Sequence, residues 1–199
     1  MSEYKQQFRQ TYQVDVHKRN KRNGHKSKVL WFTGLPCSGK STLANSIEKI
    51  LFEKGVHTYI LDGDNLRNGL NAGLGFSEKD RKENLRRAAE VAKLFMDSGV
   101  VVLCAFVSPS IKDRAMAKEI VGESSFIEIF VDTPLEICED RDVKGLYKKA
   151  RAGEILNFTG IGAPYEVPTN PQLRMTTKSK SIDDAVQEII DYLLPKISN

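Results

Sequence analysis

Cysteine is scarce in this chain. Cys37, Cys104 and Cys138 are the three that occur in 199 residues. They are far apart, odd in number and without metal-ligand spacing. A full disulfide framework is therefore excluded, and unpaired thiols point to a reducing cytoplasm. Long apolar runs are also missing. No stretch approaches the roughly 20 apolar residues of a membrane span. Met1 to Lys28 is polar and basic, with no apolar run that could act as a signal peptide. We therefore expect no membrane partner. There is no internal repeat. Excess charge of one sign is small as well: 30 Lys and Arg against 26 Asp and Glu give a net charge of +4. That balance favours anionic ligands but is too weak to argue for nucleic acid.

What the chain does have is enough length for one domain with a sizeable core, at 40% hydrophobic and 28% charged residues. Residues 1 to 28 read as a basic N-terminal arm. Its run His17-Lys18-Arg19-Asn20-Lys21-Arg22 lacks a hydrophobic period. Such runs are usually solvated; the sharper alternative is an arm folded over an anionic ligand or a second subunit.

From residue 29 onward, apolar strands alternate with helical patterns. Val29 to Phe32, Thr58 to Leu61, Val100 to Val107 and Phe126 to Val131 read as strands. Leu43 to Lys54, closed by Gly55, reads as a helix. So does Glu78 to Asp97, with Leu85, Ala88, Ala89, Ala92, Phe95 and Met96 on one face and a capping box from Ser77 to Asp80. Ser110 with Asp113 suggests a further helix start. Thr133-Pro134-Leu135-Glu136 reads as a Thr cap followed by Pro at the first helical position. A last helix runs from Ile182 to Leu194 behind Ser181. The alternation predicts an α/β fold, a parallel sheet with helices on both faces. Asp140 to Pro171 breaks the pattern: it is rich in Gly, Pro, Lys and Arg and has little apolar period. A loop of that length inside a domain is expected to be functional, here a lid.

Gly34-Leu35-Pro36-Cys37-Ser38-Gly39-Lys40-Ser41 fits the G-x-x-x-x-G-K-[ST] phosphate loop. The fit follows a strand and opens a helix, the context in which the pattern carries meaning. Glycines let backbone N–H groups approach triphosphate oxygens, and the helix N-terminus faces the anion. Lys40 reaches the β- and γ-phosphates and Ser41 offers its hydroxyl to Mg²⁺. ATP and Mg²⁺ are the cofactors this implies. Cys37 is either a reactive thiol or simply a small side chain.

The loop alone does not separate kinases from other P-loop proteins. A guanine-reading N-K-x-D is absent, and Val100 to Val107 ends in Ser108-Pro109 with no acid. The acids stand earlier, in Asp62-Gly63-Asp64 at the end of the second strand. There they can take a proton from a hydroxyl nucleophile or help hold Mg²⁺ through water. The competing reading is an Asp-Gly turn. Arg67, Arg81, Asn84, Arg86 and Arg87 follow, and guanidinium groups suit a second anionic substrate. Some of them simply line an exposed helix face.

These residues resemble the adenylyl-sulfate kinase family. The matching stretches include L-D-G-D-N-L-R at 61–67, L-G-F-S at 74–77, D-R-K-E-N-L-R-R at 80–87 and A-F-V-S-P at 105–109. Further on come F-V-D-T-P-L-E at 130–136, R-D-V-K-G-L-Y-K-K-A-R-A-G-E at 141–154, N-F-T-G-I at 157–161 and P-Y-E at 164–166. The resemblance covers about residues 24 to 171. It implies a three-layer P-loop kinase fold with a five-stranded parallel sheet over 29–199 and a lid at about 140–171. The implied reaction moves the γ-phosphoryl of ATP to the 3′-hydroxyl of adenylyl sulfate in sulfate assimilation. It implies ATP contacts from Gly34 through Thr42 and at Arg141. It implies adenylyl sulfate contacts at Asp64, Arg67, Phe76, Arg81, Asn84, Lys144 and Phe158, with Phe76 and Phe158 sandwiching the adenine. Asp62 matches the candidate base, and Ser108 matches a serine described in the family as a phosphoserine intermediate. A homodimer and a sulfate adenylyltransferase partner are further implications. Pro36-Cys37, Asn71-Ala72-Gly73 and Thr176-Thr177-Lys178 depart from the family pattern. The main rivals are a sugar-acid or nucleoside monophosphate kinase of the same fold, or a regulatory subunit that has lost catalysis. A sugar acid needs no aromatic sandwich, and the retained Lys40, Ser41 and Asp62 argue against lost catalysis.

Overall fold

In the computed structural model, residues 10–176 and 180–199 are described. The first nine residues of the basic arm, and Thr177-Lys178 of the last departure, lie outside them. The elements in chain order are α1 (Val16–Asn23), β1 (Val29–Thr33), α2 (Lys40–Glu53), β2 (Thr58–Asp62), α3 (Gly63–Arg67), α4 (Glu78–Asp97) and β3 (Val101–Ala105). Then come α5 (Ile111–Val121), β4 (Phe126–Asp132), α6 (Leu135–Arg141), α7 (Leu146–Arg151), β5 (Leu173–Thr176) and α8 (Ile182–Ile197). All five strands are parallel, in the order β2-β3-β1-β4-β5.

Alternation of side chains along β1 explains the layers. Leu30 and Phe32 face one cluster with Leu43, Ala44, Ile47 and Leu51 of α2 and Ile189, Ile190 and Leu193 of α8. Val29 and Trp31 face the other, with Leu85, Ala88, Ala89 and Ala92 of α4 and Ala117 and Val121 of α5. β1 and β3 are buried throughout, so their continuous apolar runs are what a sheet covered on both faces requires. The chain leaves β1 with β3 on one side and β4 on the other. That reversal opens a crevice at the strands' carboxyl ends.

The expected elements are present, with informative differences. Ser77 caps α4 by accepting from the Asp80 N–H at 3.1 Å, as its sequence suggests. Pro134 stands at the N-cap position of α6, one residue after Thr133, and the Thr133 hydroxyl donates to the Ser38 carbonyl at 2.8 Å. Ser110 stands at the α5 N-cap without capping it. The Glu166 carboxylate reaches across and accepts from the Ile111 N–H at 2.6 Å. The short α3, α7 and β5 have no strong signal in the sequence. α8 runs past Pro195 to Ile197, one turn beyond expectation.

The charged run from His17 to Arg22 is helical. Asp15 accepts from the Lys18 N–H at one end, and Gly24 closes the other at φ 75. Arg19 and Asn23 donate to the carbonyls of Asp97 and Gly99, which joins α1 to the end of α4. Beside it, His25 pairs with Ser198, and the Lys26 N–H donates to the Ile197 carbonyl at 2.6 Å. The two ends of the described chain are thus stapled together. Among the described residues no helix is long and apolar enough to cross a membrane.

His25 makes this staple sensitive to pH. Its Nε2 accepts from the His57 N–H at 3.1 Å, which requires a neutral ring, and burial pushes the imidazole below its ordinary value. The unfolded chain therefore takes up the proton first, near pH 6.5. Stability is full above that pH and falls as pH drops through it towards the native value. Urea unfolding at pH 7.5 and 5.5 should show a loss that shrinks in His25→Gln, whose amide oxygen can accept the same N–H without titrating. An equal loss in both proteins would contradict this role.

Candidate active site

The phosphate loop hangs between the end of β1 and the start of α2. Gly34 has φ 153, and a Cβ there would lie 2.6 Å from the Val131 carbonyl oxygen and 2.9 Å from Ser38 Oγ. Only glycine fits. Gly39, at φ 105, starts α2. Three loop carbonyls are held from outside. Tyr147 Oη donates to Pro36, Arg141 Nη1 donates to Cys37 and Ser38, and Thr133 donates to Ser38. Lys40 is folded into the loop. Its Nζ donates to the carbonyls of Leu35 at 2.7 Å and Gly34 at 3.1 Å, and to Ser38 Oγ at 3.3 Å. Burial lowers its pKa to about 8.

Across from Lys40, the Ser41 hydroxyl donates to Asp62 Oδ2 at 2.7 Å. Asp62 Oδ1 accepts from the Asp64 N–H at 2.9 Å, capping α3. The Asp64 carboxylate in turn pairs with Lys144 Nζ. A chain of polar contacts therefore runs from the phosphate loop across the end of β2 to the segment at 140–171.

The arginines lie on the β2 side. Arg67 donates to the carbonyls of Leu74 and Gly75 and sits 4.4 Å over the Phe76 ring. Arg81 donates to the Phe76 carbonyl, to Thr159 Oγ1 at 3.0 Å and to the Asn157 carbonyl at 2.7 Å, which ties α4 to the 140–171 segment. Phe76 is exposed, and Phe158 packs edge-on to Tyr147 at 4.9 Å. No ring contact joins Phe76 to Phe158 among the described residues. Asn84 is buried and bonded to Asn71.

Ser108 is 2% exposed and has φ 39. Its Oγ accepts from Trp31 Nε1 at 3.1 Å and donates to Thr33 Oγ1 at 2.9 Å. Thr33 Oγ1 also donates to the Val107 carbonyl and lies 2.8 Å from Tyr165 Oη. The buried Arg114 donates to the carbonyls of Ser108 and Glu166. Among the described residues no carboxylate, imidazole or amine bonds to Ser108 Oγ. Trp31, Thr33, Arg114, Tyr147, Tyr165 and Glu166 carry this architecture without standing out in sequence. The P-Y-E stretch at 164–166 is the one signal that could have pointed to two of them.

One cleft of about 920 Å³ gathers Pro36 to Thr42, Asp62, Asp64, Arg67, Phe76, Arg81, Asn84, Ser108, Arg141, Lys144 and Phe158. Of the expected site residues, Gly34 and Leu35 stand outside its lining. Leu35 instead borders a second cavity of about 630 Å³ with Phe130, Asp132 and Tyr165. Among the described residues no group of three His, Cys, Asp or Glu side chains could hold a metal.

A phosphate loop at the central strand, acids at the end of the next, and a cleft spanning both define a P-loop kinase. Comparison with known proteins narrows the class. The model of the adenylylsulphate kinase family matches residues 26–176. An adenylyl-sulfate kinase of Prochlorococcus marinus is 58% identical over 181 residues, covering 91% of this chain and 90% of that protein. A probable adenylyl-sulfate kinase of Halalkalibacterium halodurans is 58% identical over 180 residues, covering 90% and 89%. The Mycobacterium tuberculosis APS kinase solved in complex with AMPPNP and APS superposes with a TM-score of 0.82 at 55% identity. That match covers 84% of this chain and 98% of the other. The chain belongs to the adenylylsulphate kinase family.

The buried Lys40 gives a test of the loop. Its ammonium discharges as pH rises past about 8, so the charge that meets a triphosphate is lost. Affinity for a non-hydrolysable ATP analogue, measured by calorimetry, should fall as pH rises from 7 to 9.5. In Lys40→Met the same titration should be weak and nearly flat.

Proposed function

We propose that this chain transfers the γ-phosphoryl group of ATP to the 3′-hydroxyl of adenylyl sulfate, giving 3′-phosphoadenylyl sulfate and ADP. The observation that carries this reading is the single cleft. It brings the phosphate loop, the acids after β2 and the arginine, asparagine and phenylalanine groups of a second site into one space. Those are the parts of a two-nucleotide reaction: one cradle for the triphosphate and one donor-rich, aromatic-lined site for an anionic nucleotide.

The loop N–H groups and Lys40 bind the ATP phosphates, while Arg141 holds the loop in shape. Asp62 takes the proton from the 3′-hydroxyl as the oxygen attacks phosphorus and the bond to ADP breaks. Its carboxylate is fixed for this by Ser41 and the Asp64 N–H. Mg²⁺ fits the donor set, because the Ser41 hydroxyl and the Asp62 and Asp64 carboxylates are hard oxygen ligands. With few protein ligands available, it would be held by Ser41, the phosphates and water, and it supplies charge neutralisation on the transferring group. Arg67, Arg81, Asn84, Phe76, Phe158 and Lys144 bind adenylyl sulfate, and residues 140–171 act as a lid that excludes water. Ser108 positions the strand end: with no base bonded to its buried hydroxyl among the described residues, direct in-line transfer needs fewer assumptions than a phosphoserine. The free thiols suit work in the cytoplasm. The reading includes a homodimer. It also includes a sulfate adenylyltransferase as partner, because that enzyme makes the acceptor.

A coupled assay of ADP release tests the reaction. Turnover should appear with ATP only when adenylyl sulfate is added; turnover with gluconate or a nucleoside monophosphate instead would refute the assignment. In the same assay Asp62→Asn should lower kcat by roughly 100-fold or more, the usual contribution of a general base. Ser108→Ala should stay within about tenfold of wild type in kcat if transfer is direct, since it removes hydrogen bonds to Thr33 and Trp31 and costs stability but takes away no reacting group. A loss as deep as that of Asp62→Asn would restore the covalent route.

A further inference from the structure

Asn71 belongs to the stretch Asn71-Ala72-Gly73, which the reading above leaves without a role. It is completely buried in the turn between α3 and α4. That turn is held on several sides. The Asn71 N–H donates to the Leu66 carbonyl at 2.8 Å, the Leu74 N–H donates to the Asn71 carbonyl at 3.0 Å, and Arg67 grips the carbonyls of Leu74 and Gly75. From this fixed frame Asn71 Nδ2 donates to Asn84 Oδ1 at 3.0 Å, and both side chains are buried.

An asparagine amide has one accepting end and one donating end. With its oxygen engaged by Asn71, Asn84 can offer the cleft only its NH₂. Among the described residues no partner occupies that nitrogen, and Asn84 lines the cleft. Arg81, one turn earlier on α4, has Nε, Nη1 and Nη2 already committed to protein oxygens. Asn84 is thus an uncommitted donor beside a committed one. The opposite orientation of the two amides is the costlier one. In the present one Asn71 leaves a single buried carbonyl oxygen without a partner. Turning both over would bury an unpaired NH₂ there, and orphaned donors are rarer than under-used carbonyls.

We propose that Asn71 is a positioning residue that sets the polarity of Asn84. It holds the Asn84 amide so that an N–H faces the second substrate and selects a hydrogen-bond acceptor atom there. Asn71 itself touches no substrate. The inference rests on adenylyl sulfate being the acceptor.

The test is a double-mutant cycle read in the ADP-release assay, with Asn71→Leu, Asn84→Ala and the double variant. Asn71→Leu should raise KM for adenylyl sulfate roughly tenfold, the worth of one good hydrogen bond, and leave the dissociation constant of an ATP analogue within about twofold. In the Asn84→Ala background it should add nothing. Asn71→Asp is isosteric and carries the same test should Asn71→Leu not fold. Its carboxylate can only accept, so the Asn84 NH₂ turns inward and KM rises as before. Additive losses in the cycle, or a loss falling equally on ATP and adenylyl sulfate, would reduce Asn71 to a packing role and overturn the inference. No wild-type turnover with adenylyl sulfate at all would instead overturn the acceptor on which it rests.

Discussion

The hydroxyl of Thr33 is the point on which the site depends. Thr33 is the last residue of β1, fully buried, and the next residue begins the phosphate loop. Its Oγ1 meets the Ser108 hydroxyl, the Val107 carbonyl and Tyr165 Oη within 2.9 Å. Three segments distant in sequence therefore cross at one atom: the loop's origin, the end of β3 and the root of the 140–171 segment. Arg114 of α5 reinforces the crossing by donating to the Ser108 and Glu166 carbonyls, and the Glu166 carboxylate accepts from the first N–H of α5. In a dry interior such bonds are strong when complete and costly when one partner is lost. Ser108, buried and at positive φ, lies within this network.

A second line of contacts is softer. Ser41, Asp62, Asp64 and Lys144 pass a connection from the loop to the proposed lid, but Asp64 and Lys144 are both more than half exposed. An ion pair in that setting contributes little to stability. It suits a connection that must break and re-form as ligands enter, whereas the Thr33 crossing suits one that must not.

Much of this was legible in the sequence because it is periodic. The strands β1, β3 and β4 are apolar runs, α4 repeats at three and four residues behind Ser77, and the loop is a spaced pattern of glycines. The acids Asp62 and Asp64 could be found by their place after a strand, and Arg67, Arg81 and Asn84 by the resemblance. What could not be read is what depends on distant partners. Thr133 reads as a cap, and nothing in the sequence shows that its hydroxyl reaches the Ser38 carbonyl. Ser110 looks like a cap until Glu166, 55 residues away from Ile111, takes over the N–H. Arg114 has no signal in the sequence, yet it is 3% exposed and bonds two carbonyls. The helix α1 escapes periodicity because its two caps and its links to Asp97 and Gly99 hold it, and no apolar stripe is needed.

The folded-back Lys40 has a consequence for which anions the loop accepts. The Lys40 ammonium is solvated by two carbonyls and a hydroxyl of the loop itself, so an arriving ion must offer more than those three neutral dipoles do together. A halide or a lone carboxylate brings one diffuse charge and too few contacts to make the exchange favourable. A triphosphate brings several oxygens and several charges at once. On this argument the lysine contacts favour an anion of high charge and many oxygens over a monovalent one.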